Sequence, residues 1–131
     1  MEIGIKGHAE LLVTYDTTAA KVGSGDQPVF ATPWMVALME DAAQSSVLPY
    51  LEKGQATVGT ALNISHDAAT PIGMKVWAES VLTVVEGRKL SFEVSAFDEC
   101  GPIGKGTHER FIINVEKFMA RTEAKKDYHT E

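Results

Sequence analysis

From His8 to Tyr15 apolar and polar residues alternate, with Ala9, Leu11, Val13 and Tyr15 on one face, which predicts a first strand. The alternation stops at Asp16. The stretch up to Phe30 contains Gly23-Ser24-Gly25-Asp26, a polar loop of a length that serves either as a lid or as a solvated connection. Thr32-Pro33 then marks a helix start, because the hydroxyl can accept from a free backbone amide and proline suits the first turn. No glycine or proline interrupts Trp34 to Val47. Met35, Val36, Leu38, Met39, Ala42, Ala43 and Val47 spread around that segment, predicting a helix buried on most sides.

After Pro49 and Gly54 the pattern is β throughout. Gln55–Ser65 is rich in Val, Thr and Ile. Met74–Val85 alternates Met74, Val76, Ala78 and Ser80 against Lys75, Trp77, Glu79 and Val81. Glu86-Gly87-Arg88-Lys89 reads as a hairpin turn, and Leu90–Phe97 places Leu90, Phe92, Val94 and Ala96 together. A second turn at Cys100-Gly101-Pro102 leads into one long strand, Ile103–Phe118. The outline is one domain over residues 1–118, with a charged tail at 119–131 that is frayed or loosely helical. A lone apolar helix needs a sheet to wrap it. An α+β hot-dog arrangement, with about five curved antiparallel strands around a central helix, fits this order, and such small domains pair edge to edge as homodimers. A cystatin-like or other α+β roll shares the same element order.

The bulk numbers narrow the partners. The chain has 131 residues, enough for one sizeable core, and its 44% apolar and 23% charged content is that of a globular protein. A formal charge of -6 argues against nucleic acid, which needs a basic surface. The lone cysteine, Cys100, excludes an internal disulfide and sits in an acidic turn that disfavours a thiolate nucleophile. Residues 1–7 lack the features of a signal peptide and no apolar run is long enough for a membrane span, so a cytoplasmic protein is expected.

Glu40 is the most informative candidate. On a helix its neighbours three and four positions away are Val36, Ala37, Ala43 and Gln44, so desolvation should raise its pKa and make it an acid, base or nucleophile. A solvated carboxylate is the alternative, and Asp41 could exchange roles with it. His66 ends the strand after the helix, before a loop reaching Pro71, and suits a cleft rim as well as an ordinary surface. Gly59 interrupts its strand, marking a bulge or a close ligand approach. Arg110 can fork onto carbonyl or phosphate oxygens, or pair with Glu109 or Glu93 across strands. His8, His66, His108 and His129 share no metal-ligand spacing with one another or with Cys100, so no metal or other cofactor is implied.

These residues resemble a known group. Ala31-Thr32-Pro33-x-Met35-x-Ala37-x-Met39-Glu40-x-Ala42-Ala43, then Val58-Gly59-Thr60, then His66 with Pro71 and Gly73, is similar to the fluoroacetyl-CoA thioesterase-like branch of the hot-dog superfamily. The resemblance spans roughly Val29 to Ile113. It implies hydrolysis of a small acyl-CoA thioester, with Thr32, Glu40 and His66 catalytic and Gly59 and Arg110 contacting substrate. The family's apolar, aromatic lid falls on Val22-Gly23-Ser24-Gly25-Asp26, which departs from it. A non-catalytic acyl-CoA-binding module, an enoyl-CoA hydratase using His66-Asp67, and a purely structural dimer are the competing readings.

Helix geometry adds a constraint. Eight residues separate Thr32 from Glu40, about 12 Å along a straight axis, too far for one hydrogen-bonded cluster. Either the first turns are distorted, or the two residues meet across a dimer interface.

Overall fold

The computed structural model describes residues 1–128 as one five-stranded antiparallel sheet with a long helix packed on it. The strands are β1 (Lys6–Leu12), β2 (Gln55–His66), β3 (Lys75–Glu86), β4 (Lys89–Asp98) and β5 (Gly101–Asn114), ordered β1-β3-β4-β5-β2 in space. A one-turn helix α1 (Ala19–Val22) and the long α2 (Thr32–Val47) separate β1 from β2, and α2 lies against β1, β3 and β4 and reaches β2. This is the hot-dog arrangement that the element order predicts.

The alternation in β3 and β4 explains the packing. Val76, Ala78, Ser80 and Leu82, with Leu90, Phe92, Val94 and Ala96, are buried against α2, while Glu79 and Glu93 face out. Each large side chain buried this way contributes about 1.5–3 kcal/mol. The turn between the two strands needs only Gly87 and Arg88, and Gly87 takes φ +61, which places glycine first in the loop as strand twist favours.

Three expectations are corrected. The helix is buried on one face only: Met35, Leu38, Met39, Ala42, Ala43 and Val47 meet the sheet, while Trp34, Ala37, Asp41 and Ser45 are exposed. A single sheet covers one side of a helix, however apolar the rest. The first strand begins at Lys6 and ends at Leu12, because Thr14 and Thr17 exchange side-chain and backbone hydrogen bonds at 3.1 Å and turn Tyr15–Thr17 into a 3-10 helix. The last strand stops at Asn114, short of Phe118. There the Asn114 side chain accepts from the Lys117 amide at 3.0 Å and caps a helix, α3 (Val115–Glu123), which continues as a 3-10 turn over Ala124–Asp127. Three- and four-residue spacing of Val115, Phe118 and Met119 carried that signal.

The polar stretch after β1 is well tied down. Ala19 and Ala20 donate to Val29 and Gln27, Phe30 donates to Thr70, and Ala31 donates to Thr17. These bonds fix the approach of the chain to the start of α2.

Candidate active site

Thr32 is the first residue of α2, and Ala31 occupies the cap position with no side-chain cap bond. The Thr32 hydroxyl is therefore free of the capping role that its position predicts. It meets His66 instead, with Oγ1 2.7 Å from Nδ1. The other ring nitrogen, Nε2, is buried and has no hydrogen-bond partner among the described residues. Burial lowers the His66 pKa from its usual 6.5, against the Ala68 backbone and the Asp67 charge, which both act to raise it. A cavity of about 230 Å³ opens beside the pair, with Ala19, Ser24, Val29 and Phe30 on its loop side and Asp67 and Ala69 opposite. The polar loop thus walls the cavity.

Glu40 stands two turns further along α2. Its side chain is 41% exposed, and its partner is a guanidinium, not the apolar surround expected from sequence: Oε2 lies 3.5 Å from Arg110 Nη1. Asp41 faces outward and accepts from Ser45 at 2.9 Å. Arg110 is deeply buried. Its Nε donates to Thr57 Oγ1 at 2.8 Å and its Nη2 to the Thr57 carbonyl at 2.9 Å, while Nη1 lies 3.2 Å from His108 Nε2. Burial lowers the Arg110 pKa and the Glu40 charge opposes the shift. Neither Glu109 nor Glu93 pairs with it; Glu109 binds Lys89 at 3.3 Å.

Gly59 closes this second cluster. A Cβ there would lie 2.6 Å from Glu40 Oε2 and 3.3 Å from His108 Cε1, so the bare backbone gives the carboxylate its room. The strand also bulges between Gly59 and Ala61. Side chains alternate with period two, so residues 59 and 66 of an unbroken strand would face opposite sides. The extra residue, Thr60, resets the alternation and lets Gly59 and His66 both face α2.

The structure therefore brings the five expected residues together as two groups: Thr32 with His66, and Glu40 with Gly59 and Arg110. α2 is one unbroken α-helix over Thr32–Val47, so distortion of its first turns does not join them. The groups stay about 12 Å apart along the helix. Sequence reading missed His108 and Thr57. Their signal was faint: each is a polar residue at an inward position of a strand, His108 two before Arg110. Cys100 is exposed in its turn. His8 pairs with Glu10 at 3.0 Å, and His129 lies outside the described residues.

Known proteins share this chain's sequence and fold. Residues 13–116 match the family described as fluoroacetyl-CoA-specific thioesterase. A fluoroacetyl-CoA thioesterase from Streptantibioticus cattleyicolor is 50% identical over 97 residues, covering 74% of this chain and 70% of that protein. A crystal structure of a mutant fluoroacetyl-CoA-specific thioesterase, FlK, in complex with fluoroacetate and CoA superposes with a TM-score of 0.85 at 41% identity, over 90% of this chain and 99% of that one. A Thermus thermophilus protein of the thioesterase superfamily reaches a TM-score of 0.89 at 32% identity, over 96% and 93% of the two chains.

Proposed function

The chain belongs to the fluoroacetyl-CoA-specific thioesterase family and is a thioester hydrolase, and we propose that it works as a cytoplasmic homodimer that cleaves small acyl-CoA thioesters to the free acid and CoA. The observation that carries the mechanism is the 2.7 Å contact between the Thr32 hydroxyl and His66 Nδ1, in a pair that lines a cavity of about 230 Å³.

Thr32 holds the imidazole at Nδ1, and the ring carries the proton. Glu40 supplies a carboxylate, either to the thioester carbonyl or to the attacking water. If Glu40 attacks, the C–S bond breaks to leave an acyl–Glu40 anhydride, which water then hydrolyses to the free acid; if Glu40 acts as base, it takes a proton from the water that adds to the carbonyl as the C–S bond breaks. In either case His66 gives a proton to the departing CoA thiolate and recovers it from the attacking water. No side chain caps α2 and Met35 donates to the Ala31 carbonyl, so the Thr32 and Trp34 amides of its first turn are the ones open to the oxyanion that develops. Arg110 engages most of its donors within the protein and acts on the substrate by holding Glu40 at Gly59.

Pairing between two chains resolves the separation of the two groups. β2 is an edge strand of 12 residues without one Lys, Arg, Asp or Glu, whereas the opposite edge, β1, carries Lys6 and Glu10. Long uncharged edges invite another strand, and charges on an edge deter it. Two-fold antiparallel pairing through β2 brings Thr32 and His66 of one protomer to Glu40 of the partner subunit. No described helix is long and apolar enough to cross a membrane. The free, exposed Cys100 suits a reducing compartment.

The test is thiol release from short acyl-CoAs, followed by mixing two inactive variants. His66→Ala and Glu40→Ala should each be nearly inactive. Subunit exchange between them should restore about a quarter of wild-type turnover, because about half of the dimers after exchange are heterodimers and each of these carries one intact site out of two. Saturable acyl-CoA binding without thiol release would mean a carrier module. Variants that stay inactive after exchange would place the whole site within one chain.

A further inference from the structure

The buried imidazole of His108, on β5, touches both the bulge of β2 and the guanidinium of Arg110. It is 1% exposed and stacks on Phe92 with ring centroids 6.1 Å apart. Its Nδ1 lies 2.9 Å from the carbonyl of Ala61, the residue that follows the bulge. A carbonyl only accepts, so Nδ1 must carry the hydrogen. In the neutral ring this leaves a lone pair on Nε2, and Arg110 Nη1 stands 3.2 Å away as the donor. The same Nη1 faces Glu40 Oε2 at 3.5 Å. One ring therefore spans the whole distance from the bulge carbonyl to the base of the ion pair.

We propose that His108 is a positioning residue: fixed as the Nδ1–H tautomer by the Ala61 carbonyl, it accepts from Arg110 and so aims the guanidinium that holds the Glu40 carboxylate beside Gly59. Arg110 has three further anchor points, but Thr57 takes only Nε and Nη2. Rotation of the Nη1 end is checked by His108 and Glu40 alone, and Glu40 is the half-exposed member that substrate must reach. A protonated ring has no lone pair and would present a second cation to Arg110. Burial, the largest influence, and the Arg110 charge disfavour that state, with the Ala61 carbonyl bond, Glu40 and Glu109 opposing them, and the net shift is downward.

The two nitrogens can be separated by substitution. Asparagine places its amide nitrogen near the position of Nδ1 and keeps the bond to Ala61 without an acceptor for Arg110. Glutamine places its carbonyl oxygen near the position of Nε2 and keeps the acceptor without the bond to the bulge. Each variant loses one buried hydrogen bond, so a merely structural role lowers the melting temperature of both and leaves kcat alike in the two. Positioning predicts a split: kcat on a short acyl-CoA falls about 10- to 100-fold in His108→Asn and about threefold in His108→Gln, with KM changed by less than threefold in both. Equal kcat in the two variants overturns the proposal.

The inference rests on the thioesterase reading, and ring ¹⁵N spectra of the wild-type protein separate the two. They should show a neutral Nδ1–H ring for His108 and a sharp Arg110 Nε–H signal that broadens in His108→Asn only. An Nε2–H tautomer overturns the proposal even in an active enzyme. The expected tautomer and selective broadening in a protein inert to every acyl-CoA sustain the positioning of Arg110 while ending the thioesterase reading.

Discussion

The Glu40 carboxylate occupies the space that a side chain at residue 59 would need, 2.6 Å from the ideal Cβ position. Nineteen residues and a helix-to-strand connection separate the two, and neither position is explained without the other. The missing Cβ lets the carboxylate sit close to the backbone of β2, and Arg110 holds it there.

Gly59→Ala should therefore displace Glu40. The backbone of β2 can adopt an alanine, since Gly59 does not have a positive φ, so the fold should persist. A displacement of about 1 Å at a catalytic group costs on the order of 100-fold in kcat/KM. Thiol-release kinetics with a melting curve check this, and a fully active, stable alanine variant would remove Glu40 from the chemistry.

Thr32→Ala removes the hydroxyl that holds His66 Nδ1 at 2.7 Å. Turnover should fall roughly 10- to 100-fold, the range for losing one strong hydrogen bond at a proton-transfer group. Thr32→Ser keeps the oxygen and should retain more turnover than the alanine variant. If serine and alanine behave alike, the contact has no part in the reaction.

Acid pH should weaken the fold through two imidazoles. Burial lowers the pKa of both His66 and His108 from 6.5. As pH drops below 6.5 the unfolded chain takes up these protons before the folded chain does, so stability is complete above that pH and declines toward the lower folded values. Urea midpoints should fall between pH 7.5 and 5, and by less in His66→Gln than in wild type. An identical slope in the two proteins would show that His66 is not desolvated. The acid limb of kcat/KM should correspondingly lie below pH 6.5.

The β2 edge supplies a prediction about assembly. Lysines placed at Ala61 and Asn63, both exposed, put two like charges on each copy where two copies would meet. Sedimentation should show a shift from dimer to monomer, with loss of thiol release, and mild salt should partly reverse both. A double variant that remains dimeric and active would locate the interface elsewhere.

Local pattern determined much of this protein. Period-two alternation gave β3 and β4 with their inward faces, Gly87 gave the tight turn, and Thr32-Pro33 gave the start of the long helix. The family resemblance over Val29 to Ile113 pointed to Thr32 and Glu40 on α2, Gly59 and His66 on β2, and Arg110 on β5. What the chain does not carry locally is which of these meet. Gly59 in the strand signalled a bulge or a close approach, but that Thr60 is the extra residue, turning Gly59 and His66 to the same side, shows only in the pairing of β2 with β5. The environment of Glu40 was likewise decided by β5, which sets Arg110 and His108 opposite a helix face that reads as apolar in isolation. The end of β5 was settled by a side-chain cap at Asn114. Secondary structure follows from neighbours a few residues apart, but the polarity around a side chain depends on strands registered across the whole chain, and only the folded sheet fixes that register.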